Sequence, residues 1–198
     1  MTGLAVCLQL CALLLADPIP EQQLRNLCVD SDITVTVDNK LELHIDGTRV
    51  TTGLTSPDTW GTADTVHVPA ATRVIGIKGV DVGVIAGILA SGTYYTTDHS
   101  WKCSNVHSEG WAHPNFDDSA WPAATEIDAN GASPWGTIAG ISSDAKWIWT
   151  EKFTYGPDSD KTVYCRKKPG NLTVFTPQTK ALSISSTLVL VAKITYTM

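Results

Sequence analysis

The chain has 198 residues, 43% of them hydrophobic and 17% charged, with a formal net charge of −6. That length suits one domain of ordinary size with a segment at each end, and that composition argues against global disorder. Its 14 Lys and Arg are scattered, which argues against nucleic acid as a partner, because phosphate neutralisation needs clustered cations. The densest basic run, Arg166-Lys167-Lys168, reads as a solvated strand end.

At the N-terminus, residues 4–16 form an apolar run too short to span a bilayer. The run ends at the small residue Ala16 and is followed by Asp17-Pro18-Ile19-Pro20. Residues 1–20 are therefore predicted to be a secretory signal peptide, although Met1-Thr2-Gly3 lacks the usual cation. A buried helix is the alternative, but the prolines would isolate it. Secretion places the mature chain outside the cell with Cys28, Cys103 and Cys165. An oxidising compartment then favours one disulfide and one odd thiol. Cys103 and Cys165 both lie near strand-like stretches and are the expected pair. In the alternative, Cys28 takes Cys165 and leaves Cys103 buried. A Cys28 without an internal partner could bridge two chains into a homo-oligomer.

From residue 28 onward, short β-branched runs recur between Gly, Asp, Asn and Pro, at roughly 8–12-residue intervals. Ile33 to Val37 alternates apolar and polar, as does Leu41 to Ile45. Asp46-Gly47 is the strongest short hairpin signal, and Thr48 to Thr51 is the predicted return strand. Thr65 to Val68 and Arg73 to Lys78 follow. Val80 to Ala90 is apolar at nearly every position, so it is a strand buried on both faces or a short core helix; its glycines and valines favour the strand. Tyr94 to Thr97 is expected to pair with it. Asp98 to Cys103 follows, and Lys146 to Thr150 and Thr162 to Arg166 complete the set. The pattern predicts an all-β fold, an antiparallel β-sandwich over residues 28–168.

Pro169-Gly170 closes that domain. Residues 169–198 are read as a C-terminal tail, either an added strand or poorly ordered, carrying a glycosylation sequon at Asn171. Residues 181–192 are apolar, but Lys193 interrupts them, so no membrane span is expected.

Chemistry-bearing motifs are sparse. There is no nucleophile elbow, phosphate-cradling loop or zinc-binding helix motif, and no two of Cys28, Cys103 and Cys165 lie at zinc-finger spacing. Asp117 and Asp118 sit side by side in Asn115-Phe116-Asp117-Asp118-Ser119-Ala120-Trp121-Pro122. Adjacent acids in a turn diverge, so they are read as bracing it rather than as a catalytic pair. Phe116 and Trp121 are read as its anchors in the core. His44 and His67 are placed on solvated strand faces. His107 and His113 flank Trp111 in a polar loop.

Seven tryptophans are present. Trp147 and Trp149 are expected to share one strand face, and Trp101 and Trp121 to be core. Trp60, Trp111 and Trp135 lie among Gly, Pro, Asp and Ser, and each can pack under a loop or present a flat face to a sugar ring. With Asp58, Asn105 and His113 as hydrogen-bonding partners, they form the candidate ligand-binding set.

Three motifs carry a family resemblance. Leu41 to Val50 is similar to the strand–Asn-Gly–strand hairpin of galactose-binding-like jelly-roll domains. Thr97-Asp98-His99-Ser100-Trp101-Lys102 resembles their TDxSWK element, and Asn115 to Pro122 resembles their FDDSxWP turn. The three occur in the order found in accessory β-sandwich domains of α-rhamnosidases and β-galactosidases, and in stand-alone secreted invertebrate modules. The resemblance implies the fold and glycan or glycoprotein partners. It implies no catalysis, because the acids of those enzymes lie in another domain. It also raises a structural calcium, for which Asp38, Asn39, Asp46 and Asp98 could supply oxygens, although no loop shows a calcium pattern. The sequence thus predicts a secreted, extracellular, non-catalytic lectin-like module. The competing expectation is a matrix protein that self-associates without a specific glycan ligand.

Overall fold

The computed structural model describes residues 30–151 and 160–169. The predicted signal segment, Cys28, Asn171 and the tail beyond Pro169 lie outside them. Ten strands form among the described residues: β1 (Ser31–Asp38), β2 (Lys40–Ile45), β3 (Thr48–Arg49), β4 (Asp64–Val68), β5 (Ile75–Val80), β6 (Gly87–Gly92), β7 (Lys102–Ser104), β8 (Thr125–Ala129), β9 (Lys146–Trp149) and β10 (Thr162–Lys167). They build two five-stranded antiparallel sheets, ordered β4-β1-β6-β9-β8 and β3-β2-β5-β10-β7. The protein is an all-β two-sheet sandwich. No helix among the described residues is long and apolar enough to cross a membrane.

Alternation along the strands builds the core. Ile33, Val35 and Val37 of one sheet meet Leu41, Leu43, Ile75, Ile77, Val163 and Cys165 of the other, and all are buried. The β2–β3 hairpin forms where Asp46-Gly47 predicts it, with φ of +48° and +85°. Both central residues of a two-residue turn are then left-handed, which matches the twist of the flanking strands. Asp46 Oδ1 also accepts the Arg73 and Val74 amides at 2.9 Å, tying the turn to the start of β5.

Four elements depart from expectation. Val80 to Ala90 is not one strand: β5 ends at Val80, a turn follows, and β6 starts at Gly87. Asp81 closes that turn, accepting the Gly83 amide at 2.6 Å and the Lys161 ammonium at 2.7 Å, which leaves Val82 and Val84 on the surface. β6 itself is buried on both faces, with Ile88 and Ala90 in the central core and Leu89 in an outer cluster. Tyr94 to Thr97 forms a turn that returns to β6 through Thr96, bonded to Gly92, and Thr97, bonded to Ala90. β8 had no clear strand signal, being Thr-Glu-Ile-Asp-Ala with an irregular register against β9. Trp147 and Trp149 enter different clusters, Trp147 the outer one and Trp149 the central core.

Loops cover part of both outer faces. On the β6–β9 side, Trp135, Ile138 and Ile141 pack on Leu89 and Trp147. On the β5–β10 side, Trp111, Ala112, Phe116 and Trp121 pack on Tyr164. Each of these contacts needs room that a strand side chain would take. A Cβ on Gly76 would lie 2.9 Å from Trp111, on Gly79 2.7 Å from Trp149, and on Gly87 2.7 Å from Trp147. The strand glycines are therefore seats for indole rings.

Cys103 of β7 and Cys165 of β10 face each other in register and form the expected disulfide, with Cα atoms 4.1 Å apart and no solvent exposure. The neighbouring Arg166 contradicts its reading as a solvated strand end, because its side chain is fully buried. It bonds the Asp118 carboxylate at 2.8 Å and donates to the backbone carbonyls of Phe116 and His113 at 3.0 Å. Asp117 Oδ1 accepts the Ser119 amide, and the Phe116 and Trp121 rings meet edge to face. The 115–122 turn is thus a clasp, with Asp117 capping it and Asp118 neutralising a cation brought from β10.

Candidate functional site

The outward face of β2 carries Glu42 and His44, which alternate with core Leu41 and Leu43. His44 Nε2 lies 2.8 Å from Glu42 Oε1. On the other side of the carboxylate, Arg49 Nη2 lies 3.4 Å and Lys78 Nζ 3.8 Å from Oε2. Burial raises the Glu42 pKa, but the His44 hydrogen bond and the Lys78 and Arg49 charges outweigh it and hold the carboxyl below its ordinary range. Glu42 is therefore a fixed anion and a strong hydrogen-bond acceptor.

Over this face folds the loop after β7. Trp111 sits on Gly76 of β5, wedged between His44 and Tyr164 with both ring centroids 5.2 Å away. The loop closes on itself through Trp111 N–H to Ser108 and His113 N–H to Gly110. His113 lies against Gly47 of the hairpin turn, where an added Cβ would come within 3.3 Å of its ring. Its Nδ1 accepts the Asn115 amide at 3.3 Å. His107 leans on Tyr164 at 5.2 Å. The result is an open cleft of ≈ 420 Å³ walled by Glu42, His44, His107, Glu109, Trp111 and His113.

Of the six candidate ligand residues, only Trp111 and His113 come together. Trp111 enters as a wall rather than a platform, because only 6% of it is exposed. Trp135 is corrected to a core residue. It is 5% exposed, stacked on Trp147 at 4.3 Å, and donates its indole N–H to Asp38 at 2.8 Å. No flat face remains for a sugar. Trp60 is the one of the three that reaches the surface, at 36% exposure, with its carbonyl held by Thr36. Asp58 lines a second cleft, described below. Asn105 is turned to Asp160 at 2.7 Å, at the far end of β7. His44, expected on a solvated face, is half-buried under Trp111.

Sequence reading passed over Glu42, Arg49 and Lys78. Their signal was modest: a polar pair alternating outward beside a hairpin, with a cation on the return strand.

The oxygens considered for calcium do not converge. Asp38 is occupied by the Asn39 amide and Trp135, Asp46 by two backbone amides, and Asp98 by Ser100. Among the described residues no group of three or more His, Cys, Asp or Glu side chains could hold a metal ion. These residues do not fit a calcium ion.

Gly76→Ala tests how the wall is held. Its Cβ would press on Trp111 and Ala112, and overpacking of this kind costs about 1–3 kcal/mol. A lower thermal midpoint with red-shifted tryptophan emission is expected; an unchanged midpoint and spectrum would show that the ring does not depend on the glycine.

The fold and the cleft together define an all-β sandwich that carries a polar site on one sheet face. An α-L-rhamnosidase from Streptomyces avermitilis is 32% identical to this chain over 145 residues, covering 63% of the chain. The chain spans only 14% of that enzyme. A partial match of this kind and the two-sheet structure fit an accessory β-sandwich domain. No family model matches the sequence, and no solved structure matches it.

Proposed function

We propose that the protein is a secreted, non-catalytic carbohydrate-binding module of the galactose-binding-like jelly-roll type, and that the cleft between β2 and the 107–113 loop holds the sugar. The observation that carries this reading is the Glu42–His44 pair set against the Trp111 wall. An ionised carboxylate can accept hydrogen bonds from neighbouring sugar hydroxyls, while ring edges line the less polar part of the cleft. Similarity to part of a rhamnosidase supports a glycan ligand and makes L-rhamnose the first sugar to try.

Glycoside hydrolysis needs a carboxylic acid with a raised pKa to protonate the leaving group. Glu42 is shifted the opposite way. Asp38, whose carboxyl burial holds above its ordinary range, is covered by Trp135 and lies outside the cleft. The site therefore supports binding better than cleavage. It is also shallow, so affinity for one sugar unit is weak and avidity would come from several copies or several subsites.

A glycan array followed by calorimetry with L-rhamnose tests the reading. Glu42→Gln keeps the side-chain shape and removes the charge, and it is expected to weaken binding at least about 10-fold, as loss of a charged hydrogen bond does. Retention of no glycan by the wild-type protein would end the lectin reading.

A further inference from the structure

A second cleft of ≈ 430 Å³ opens on the far side of Glu42, with Arg49, Thr51 and Asp58 as its polar groups and Leu41, Leu54 and Pro57 as its apolar ones. Glu42 lines both clefts. Its two oxygens divide between them: Oε1 is bonded to His44, in the first, and Oε2 faces Arg49, in the second. Arg49 stands on the two-residue strand β3, and its side chain is 62% exposed, so the guanidinium fork keeps donors available beyond its contact with Glu42. Asp58 is exposed at the other rim, on the turn closed by Thr59 N–H to Ser56. Pro57 is fixed to the edge of β2 through Leu41 N–H to the Pro57 carbonyl at 2.8 Å. The second cleft is therefore a built surface whose floor is bonded to the same strand as the first.

We propose that the two clefts are consecutive subsites of one track, and that the module recognises a stretch of linear oligosaccharide rather than a terminal monosaccharide. This rests on the carbohydrate reading of the first cleft. The second cleft supplies what a neighbouring sugar unit requires: an apolar patch for its C–H face, a bidentate donor in Arg49, and a carboxylate acceptor in Asp58. Glu42 is the shared post, accepting from the units on either side. Two open subsites joined through one ligand add their binding, which shallow single sites cannot match.

Calorimetry with two probes, L-rhamnose and a linear α-linked L-rhamnose tetrasaccharide, tests the track. The wild-type protein should bind the tetrasaccharide at least about 10-fold more tightly than the monosaccharide. Asp58→Asn should abolish that difference while leaving L-rhamnose affinity unchanged, because Asp58 lines only the second cleft. Asp58 is exposed, so the variant should melt with the wild type. Glu42→Gln should weaken both probes. Equal wild-type affinity for the two probes would overturn the track and leave the single-cleft reading standing. So would Asp58→Asn weakening both probes alike. Binding of neither probe would overturn the track for this sugar, and retention of no glycan on the array as well would remove the carbohydrate reading with it.

Discussion

Replacing both Cys103 and Cys165 by alanine is expected to lower the unfolding free energy by about 4 kcal/mol. The bridge closes a loop of 62 residues, and the chain-entropy cost of leaving such a loop open in the unfolded state has that size. For a domain of this length the shift corresponds to roughly 10–15 °C in thermal midpoint. The loop it closes contains the 107–113 wall of the cleft, the 115–122 clasp, β8 and β9. Loss of the bridge should therefore loosen the cleft as well as the fold. Both sulfurs are fully buried, so reductant alone should act slowly on the folded protein and quickly once denaturant opens it. Alanine is the suitable replacement, because serine would bury a hydroxyl at each site. Denaturant titration of the variant beside the wild type measures the effect. A difference below about 1 kcal/mol would mean that the strand pairing β7–β10 holds these segments without help.

What could be read from the sequence was local. Alternation placed β1, β2 and β4, and Asp46-Gly47 set the hairpin, because strand faces and left-handed turns follow from residues a few positions apart. The clasp was legible for the same reason: Asp117 and Ser119 make their bond within the turn. Contacts between distant segments were not legible. Nothing around Trp135 says that its indole meets Asp38, or that the 130–145 loop lies down on Leu89. The flexible-looking company of Gly, Pro and Ser marked it as a loop residue, and loops that fold back on a sheet bury their aromatics as strands do. Arg166 misled for a related reason. A basic residue in a basic run looks solvated until its neutralising partner, Asp118, appears from another part of the chain.

The strand glycines were the underused signal. Gly76 and Gly79 interrupt a strand that also holds Ile75, Ile77 and Val80, at a cost in strand stability that only a close neighbour repays. Read as seats for rings, they would have predicted that at least two tryptophans pack against this sheet, and Trp111 would have been assigned as a wall. The cleft follows from that placement. A ring seated on Gly76 leaves His44 half-covered, fixes Glu42 beside it, and raises the 107–113 loop above the sheet.

Asp118→Ala is expected to cost about 3–5 kcal/mol, comparable to loss of the disulfide, because it leaves the Arg166 guanidinium buried without its counter-charge. The two carbonyls that Arg166 bonds, those of His113 and Phe116, carry only partial charges, and the Phe116 ring at 5.2 Å adds a weak cation–π attraction. None of these replaces a carboxylate. Burial already pulls the Arg166 pKa down, and the Asp118 charge opposes that pull. The cost should therefore come from the stranded cation rather than from the lost bond. Arg166→Met combined with Asp118→Leu separates the two, since removing both charges together should recover most of the stability that Asp118→Ala loses. If Asp118→Ala costs less than about 1 kcal/mol, then Lys168, 3.5 Å from the same carboxylate, marks the pair as a solvated one. The clasp also bears on binding, because Arg166 holds the backbone of His113, which is both an end of the clasped segment and a wall of the cleft. The Met/Leu variant, stable but without that bond, should bind glycan more weakly than the wild type at temperatures where both are fully folded.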